Sequence, residues 1–248
     1  MMQRKLNFVT ASLNRDLKMM MRDGFLILII IVPLLAGTAL GILYRFLIPF
    51  LDRSLGLSLS DLLAREYLPL LHLFLILLPS IMTGMAGGFI LLEEHEQGLN
   101  PFWGLSFRGP LRIFILRLPP LMSIYLISCW GSRVLFSLSA GLPFVFQPLL
   151  LIMGILEVPV FALFLAGNAA NRVQGLALGK LISFFEMAPL AAYFLDGRIR
   201  YLFSVLPPFW MAEYLRAGRN EPLLLVLSLS VHLLWIFLCF TGYRKKLF

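Results

Sequence analysis

Apolar positions along the chain fall into six long runs that short polar stretches separate. The runs cover about residues 24–48, 68–92, 113–138, 142–167, 176–195 and 222–242. Each run reaches the roughly 20 residues that a helix needs to cross a hydrocarbon core of about 30 Å. The pattern predicts an all-α integral membrane protein with six transmembrane helices, forming a single transmembrane domain over residues 1–248.

The stretch before the first run has a different pattern. Between residues 2 and 22, apolar side chains recur at steps of three and four, and arginines occupy the opposite face: Met2, Leu6, Val9, Leu13, Leu17 and Met20 against Arg4, Arg15 and Arg22. This periodicity is typical of an amphipathic helix that lies in the membrane interface. The alternative is a basic tail without fixed structure.

The segment between the fifth and sixth runs is apolar but contains paired prolines. It extends from Asp196 to Glu221 and includes Pro207 and Pro208 before Phe209. Irregular backbone at membrane depth is tolerated where it packs against protein or lines a cavity. We therefore expect a short re-entrant element before the last helix.

Composition supports the membrane assignment. Of the 248 residues, 60% are hydrophobic and 14% are charged, and the mean hydropathy is +0.88. A soluble domain carries about 45–50% apolar and about 25% charged residues. A soluble enzyme, a disordered tail and a disulfide-rich secreted module are therefore excluded. Cys129 and Cys239 both fall in apolar runs, which predicts buried thiols.

The net charge of +8 reflects basic residues that flank the apolar runs. With the N-terminus inside, thirteen Lys and Arg residues fall on the cytoplasmic side and seven fall outside. The positive-inside rule then predicts that both termini are cytoplasmic. The basic residues also favour contact with anionic lipid. No segment offers a folded basic surface with interleaved aromatic residues, so we expect no nucleic-acid partner.

The sequence contains no recognisable catalytic motif. His95-Glu96 lacks the second histidine that a zinc-protease motif requires, since position 99 is Leu99. The other histidines, His72 and His232, each stand alone in an apolar run. Neither a phosphate-binding loop nor a serine nucleophile motif occurs. We expect no catalytic residue, metal site or cofactor in this chain.

Three glutamates, Glu93, Glu94 and Glu96, directly follow the second apolar run, where the positive-inside rule favours lysine. Two interpretations remain open. The residues form either a solvated acidic turn or a surface that binds basic groups of a soluble partner.

Two further carboxylates fall near the middle of membrane runs, Glu157 in the fourth and Glu186 in the fifth. An ionised group at that depth costs at least ~2.5–3.5 kcal/mol on insertion scales. These glutamates either form structural hydrogen bonds between helices or line a translocation path. Arg133 is a candidate partner for either carboxylate, unless its side chain extends outward to the interface.

The acidic stretch carries a family resemblance. Residues 94–99, Glu-His-Glu-Gln-Gly-Leu, resemble the Glu-x-x-x-Gly-Thr-Leu signature of ABC-2 type transporter permeases, without its threonine. Residues 14–17, 22–23 and 88–94 are similar to a small branch of fluoroquinolone or multidrug export permeases. Residues 105–110 depart from the family pattern, because the usual Thr-Pro or Ser-Pro pair is displaced or missing.

The resemblance implies the permease subunit of an ATP-binding cassette exporter in a bacterial plasma membrane. A cytoplasmic coupling loop, residues 93–110, would bind ABC ATPase subunits that hold ATP and Mg²⁺, and a second identical or homologous permease chain would complete the path. The implied docking residues are Glu93, Glu94, Glu96, Gln97, Gly98 and Leu99; Glu157, Glu186 and Arg133 are candidates for the path. A drug-like molecule, a peptide or a lipid would be transported.

Two other functions remain open at this point. One is an intramembrane lipid-modifying enzyme that uses Glu157 or Glu186 as a general base. The other is a non-catalytic membrane assembly or immunity factor.

Overall fold

The computed structural model describes residues 24–56, 67–98, 109–217 and 221–247. Within these ranges the regular structure is helical. Six helical stretches are long and apolar enough to cross a membrane: Ile31–Leu55, Leu68–Glu96, Arg117–Ala140, Pro148–Asn168, Arg172–Phe194 and Pro222–Lys246. For these described residues, the prediction of an all-helical membrane protein with six candidate spans is confirmed. The predicted interfacial helix at residues 2–22 lies outside the described residues.

The helices follow one another with few irregular connections. We number them α1 (Gly24–Ile42), α2 (Ile48–Leu55), α3 (Leu68–Glu96), α4 (Gly109–Ala140), α5 (Pro148–Asn168), α6 (Arg172–Ile182), α7 (Met187–Phe194), α8 (Pro207–Arg216) and α9 (Pro222–Leu247). A π-helical turn, Leu43–Leu47, joins α1 to α2. Two 3-10 turns, Ser183–Glu186 and Ile199–Val205, precede α7 and α8.

The predicted start of the fourth span is wrong. Residues 142–147 are not helical, and α5 begins only at Pro148. Pro143 cannot donate a backbone hydrogen bond, and Pro148 favours the first turn of a helix. Arg133 holds this stretch against α4, because its guanidinium donates to the Val145 carbonyl and, at 3.4 Å, to Gln147 Oε1.

The fifth span is also less regular than its apolar run suggested. It consists of α6 and α7 with the 3-10 turn Ser183–Glu186 between them. Pro189 lies in the first turn of α7, where the absence of its N–H is tolerated best. The break brings Glu186 to the junction of the two helices.

The centre of the bundle is the contact between α3 and α5, the most extensive among the described helices. Glycines on α3 allow the two backbones to approach closely. A Cβ added at Gly84 would lie 2.6 Å from the Phe161 Cβ, and one added at Gly88 would lie 2.9 Å from the Leu165 Cβ. Small residues spaced by four positions are a common means of close helix packing in membranes. Gly84 and Gly88 therefore form an internal seam.

The other spans pack around this pair. α1 lies against α4 and α3, α9 against α5 and α8, and α6 against α3 and α5. A Cβ at Gly41 would lie 2.6 Å from the Ser139 Cβ, and one at Gly37 would overlap the Ser132 carbonyl oxygen. The large exposed apolar side chains of α1 and α9 are consistent with contact to lipid.

A proline in α3 creates a second link between helices. Pro79 has no N–H, so the carbonyl of Leu75, four residues earlier, loses its usual helical partner. Ser132 Oγ donates to that carbonyl at 3.4 Å, and Cys129 Sγ lies 3.7 Å from it. Polar side chains of α4 therefore satisfy the backbone group that Pro79 leaves open in α3.

We expect Gly37→Ala to destabilise the chain. The added methyl group would meet the backbone of α4, and such overpacking costs about 1–3 kcal/mol. Gly242→Ala is the matched control, because no atom lies within 4 Å of its added Cβ and alanine favours a helix over glycine by about 1 kcal/mol. Thermal unfolding in detergent should give a lower Tm for G37A and an equal or higher Tm for G242A. Equal Tm values for the two variants would contradict the close α1–α4 contact.

Candidate functional site

Five spans, including α4 through Arg117, meet at the end of the bundle where α3 terminates. We call this the Glu94 end; it contains the last turn of α3, the start of α6, and the ends of α5 and α9. Contacts of Glu94, Glu96 and Lys246 join these elements. The opposite end, which contains Tyr67 and Phe194 in a stacked pair at 5.5 Å, we call the Tyr67 end.

The Glu94 carboxylate does not face solvent. It is 2% exposed, and its Oε1 forms an ion pair with Arg117 Nη2, also buried, on α4. Removing one partner of a buried ion pair typically costs about 3–5 kcal/mol, because the other charge is left uncompensated. The pair therefore links the last turn of α3 firmly to α4.

One further contact extends this link to α6, and another joins α9 to α5. Glu96 Oε1 accepts a hydrogen bond of 2.9 Å from the backbone N–H of Arg172, the first residue of α6. Lys246 Nζ, near the end of α9, donates to the carbonyls of Ala166, at 2.8 Å, and Ala169. A lysine at this position satisfies carbonyls that the end of α5 leaves without helical partners. These contacts attach the last turn of α3 to α4 and α6, and the end of α9 to the end of α5.

The predicted boundary of the coupling loop is wrong at its start. Glu93, Glu94 and Glu96 belong to the last turn of α3, which continues to Glu96 and is capped by Gln97. Gly98 has a φ of +67° and ends the helix. Glu93 accepts a 3.1 Å hydrogen bond from Gln97 on the same turn. Leu99 and the rest of the loop up to 108 lie outside the described residues.

Besides Glu94, the prediction names four docking residues in this described stretch, and they are more exposed than Glu94. Glu96, Gln97 and Gly98 are exposed, and Glu93 is half-buried. These four offer a polar surface at the Glu94 end. Glu94 itself points into the bundle, so its contribution to any docking surface is to position the turn.

At mid-span, Glu157 pairs with a histidine that sequence analysis treated as isolated. His232 Nε2 on α9 lies 3.2 Å from Glu157 Oε1 on α5, and both side chains are fully buried. His232 Nδ1 lies 2.6 Å from the Ser228 carbonyl, which can only accept, so Nδ1 carries a proton. The contact joins α5 to α9 at mid-span.

The structure does not bring Arg133 to either mid-span carboxylate. Arg133 is buried, contacts the 142–147 stretch and lies with Cζ 5.3 Å from the centre of the Phe144 ring. The interpretation of Arg133 as a partner for Glu157 or Glu186 is therefore wrong. The reason is that the irregular stretch after α4 folds back over the guanidinium.

Glu186 lies apart from both of these groups. It lines a cavity of about 170 Å³ between α3 and the junction of α6 and α7. Its side chain is half-buried, and Oε1 is buried without a hydrogen-bond partner among the described residues. Of the two mid-span carboxylates, Glu186 therefore faces open space and Glu157 does not.

The segment before α9 forms a hairpin from the 3-10 turn Ile199–Val205 and α8. Its tip reaches the middle of α9, because Trp235 Nε1 donates to the Val205 carbonyl at 2.7 Å. Nearer the Tyr67 end, Arg200 Nη1 lies 3.5 Å from Glu213 Oε1 and joins the two limbs. Burial raises the pKa of Glu213, and the Arg200 charge opposes that rise.

Three participants in these contacts were not predicted from the sequence: Arg117, His232 and Lys246. Each was visible as a polar residue in or beside an apolar run, but its partner lies on another helix. Among the described residues, no three His, Cys, Asp or Glu side chains come close enough to hold a metal ion.

Comparisons with known proteins identify the family. The family model described as "Fluoroquinolones export permease protein Rv2686c-like" matches residues 16–240. Fluoroquinolones export permease proteins MT2760 and Rv2686c, from the CDC 1551 / Oshkosh and ATCC 25618 / H37Rv strains of Mycobacterium tuberculosis, are each 28% identical over 211 residues, which cover 81% of this chain and 78% of the relative. No solved structure gives a significant match. The chain therefore belongs to the Rv2686c-like family of export permeases, a branch of the ABC-2 type permeases, as its sequence resemblance indicated.

Proposed function

We propose that this chain is the membrane subunit of an ATP-driven exporter whose ATPase is a separate cytoplasmic protein. The family match over residues 16–240 is the observation that carries the proposal. A fluoroquinolone or a similar drug-like amphiphile is the proposed substrate, because the relatives are named for fluoroquinolone export. A second permease chain, identical or homologous, would complete the path across the membrane of a bacterial cell.

The Glu94 end is the proposed cytoplasmic end and the proposed site of ATPase docking. Basic residues are concentrated there, including Arg172 and the 244–246 cluster, as the positive-inside rule expects. The polar surface formed by Glu93, Glu96, Gln97 and Gly98 would contact the ATPase. Leu99 would extend that surface into the loop.

The buried contacts behind this surface provide a route for coupling. A displacement of the last turn of α3 would be transmitted to α4 through the Glu94–Arg117 pair. It would be transmitted to α6 through the hydrogen bond between Glu96 and Arg172. The ATPase can shift the permease only if its two nucleotide states bind this turn with different affinity. The chain itself supplies no ATPase site in this scheme.

The two mid-span glutamates have different roles in this proposal. Glu157 is enclosed with His232 and joins α5 to α9, so we assign it a structural role. Glu186 borders a cavity, so we assign it to the translocation path. The hairpin formed by residues 199–216 would be the predicted re-entrant element, since its tip contacts α9 at Trp235, about 20 Å from the start of that helix at about 1.5 Å per residue.

Replacing Glu94 by glutamine should uncouple ATP hydrolysis from transport. The buried Arg117 would lose its counter-ion, and the α3 end would no longer move α4 with it. In vesicles that contain the permease and its ATPase, we expect fluoroquinolone transported per ATP hydrolysed to fall about tenfold, a loss of about 1.4 kcal/mol of coupling. Glu221→Gln is the matched control, because it makes the same charge change at an exposed position outside the docking surface, and it should retain coupling.

A double variant separates coupling from stability. E94Q should lower the Tm, and adding Arg117→Gln should restore it because no charge then remains buried alone. We expect the E94Q/R117Q chain to be stable and still uncoupled, since two amides attract each other more weakly than two charges do. Full recovery of transport per ATP in this variant would refute a coupling role for the pair.

The structural role of Glu157 can be tested with leucine substitutions. E157L and H232L should each destabilise the chain by about 3–5 kcal/mol, whereas E157L/H232L should return to within about 1 kcal/mol of the parent, because apolar side chains can replace a buried polar pair. Thermal unfolding in detergent measures the stabilities, and vesicle assays measure transport. A stable double variant that no longer transports would show that Glu157 acts in the path.

A further inference from the structure

The cavity beside Glu186 has mainly apolar walls, one hydroxyl-bearing residue, Ser183, and one charged group. Its walls include Leu70, Phe74 and Leu77 of α3 and Met187 and Leu190 of α7. Glu186 is the only ionisable residue among those that line it. Met187 and Leu190 are exposed, so the cavity lies at the side of the bundle, where a molecule can enter from between the helices.

The helix that follows Glu186 provides no hydrogen bond to its carboxylate. Glu186 is the N-cap of α7, but its side chain accepts no hydrogen bond from that helix. The third position of the helix, which an N-cap side chain often binds, is Pro189 and has no N–H to offer. Oε1 is left buried without a hydrogen-bond partner among the described residues. A buried acceptor in that state is costly unless a ligand or partner satisfies it.

The size of the cavity limits what it can hold. A cavity of roughly 150 Å³ in another protein accommodates benzene, so the 170 Å³ here corresponds to about one six-membered ring. The Phe74 ring in the wall can also attract a cation through its π face. The apolar walls favour binding of an apolar ring, and the carboxylate favours a ring that carries a positive charge.

We propose that this cavity is a subsite for the protonated, ring-bound amine of an amphiphilic molecule, with Glu186 as its counter-ion. The inference rests on the proposed export function and specifies the chemistry of its substrate. The rest of the molecule would lie along the exposed apolar side chains of α7. An anionic ring would be repelled by Glu186, and a neutral ring would bind through the walls alone.

Binding of three small probes to the purified chain tests this assignment without any ATPase. Benzylamine, benzyl alcohol and benzoate share one ring and differ in charge. In phosphatidylglycerol nanodiscs, titration followed by ligand-observed NMR should give at least about tenfold tighter binding for benzylamine than for benzyl alcohol, and no binding for benzoate. Glu186→Gln should remove the preference for benzylamine and leave benzyl alcohol binding unchanged, which also shows that the cavity is intact.

Glu221→Gln is the matched control, because it makes the same charge change at an exposed position outside the cavity. It should bind all three probes as the parent chain does. The subsite assignment is wrong if E186Q retains the benzylamine preference. It is also wrong if replacing the lipid by phosphatidylethanolamine abolishes benzylamine binding, since a lipid amine would then be the occupant.

Transport separates this inference from the proposed function. If the probes bind as expected but the chain with its ATPase moves no cationic amphiphile in vesicles, export is wrong and the amine site remains. If transport occurs and E186Q does not alter the probe preference, export remains and the amine subsite is wrong.

Discussion

The direct packing of α3 on α5 is the contact on which the rest of the bundle depends. In lipid, helices gain little from burying apolar surface against one another, so close van der Waals contact must hold them together. Gly84 and Gly88 allow that contact by removing side chains between the two backbones. The central pair then provides surfaces for α4 and α6 and, through α5, for α9. The most apolar stretch of α3 is 89% buried inside the bundle.

Because α3 lies at the centre of the bundle, its end and its middle contact different elements. The two regions can therefore have different functions. At the Glu94 end, a buried ion pair and a backbone hydrogen bond attach its last turn to α4 and α6. Further along, Leu70, Phe74 and Leu77 of the same helix form the wall of the cavity that Glu186 borders. A helix fixed by its glycine seam can carry a displacement from one region to the other. In the proposed exporter, α3 is therefore both the element that receives the push of the ATPase and a wall of the substrate site.

The number of spans was predictable because apolar length is a local property of the chain. The family was predictable because residues 94–99 and the stretches around them carry a recognisable pattern. The start of α5 was not predictable, because the irregular 142–147 stretch depends on contacts with Arg133 from another helix. The pairing of Glu157 with His232 likewise depends on which helices are neighbours. A hydropathy pattern does not contain that information.

The orientation of individual side chains could not be predicted from the sequence either. Glu93, Glu94 and Glu96 look equivalent as residue types, but the helix continues through them and turns Glu94 inward. Glu186 was recognised as a candidate from its depth alone. Glu186 faces a ring-sized cavity because the helix is broken between α6 and α7. This break could not be predicted from the apolar run.

Site-specific crosslinking in native membranes tests the central claim most directly. A photoreactive residue at position 96, at the Glu94 end, would be compared with one at position 221, at the opposite end, and the crosslinked products would be identified by mass spectrometry. The proposed exporter predicts an ABC ATPase subunit crosslinked at 96 and none at 221. An ATPase captured at 221, or none at 96 in a membrane that actively exports the substrate, would contradict the assignment of the Glu94 end as the docking surface.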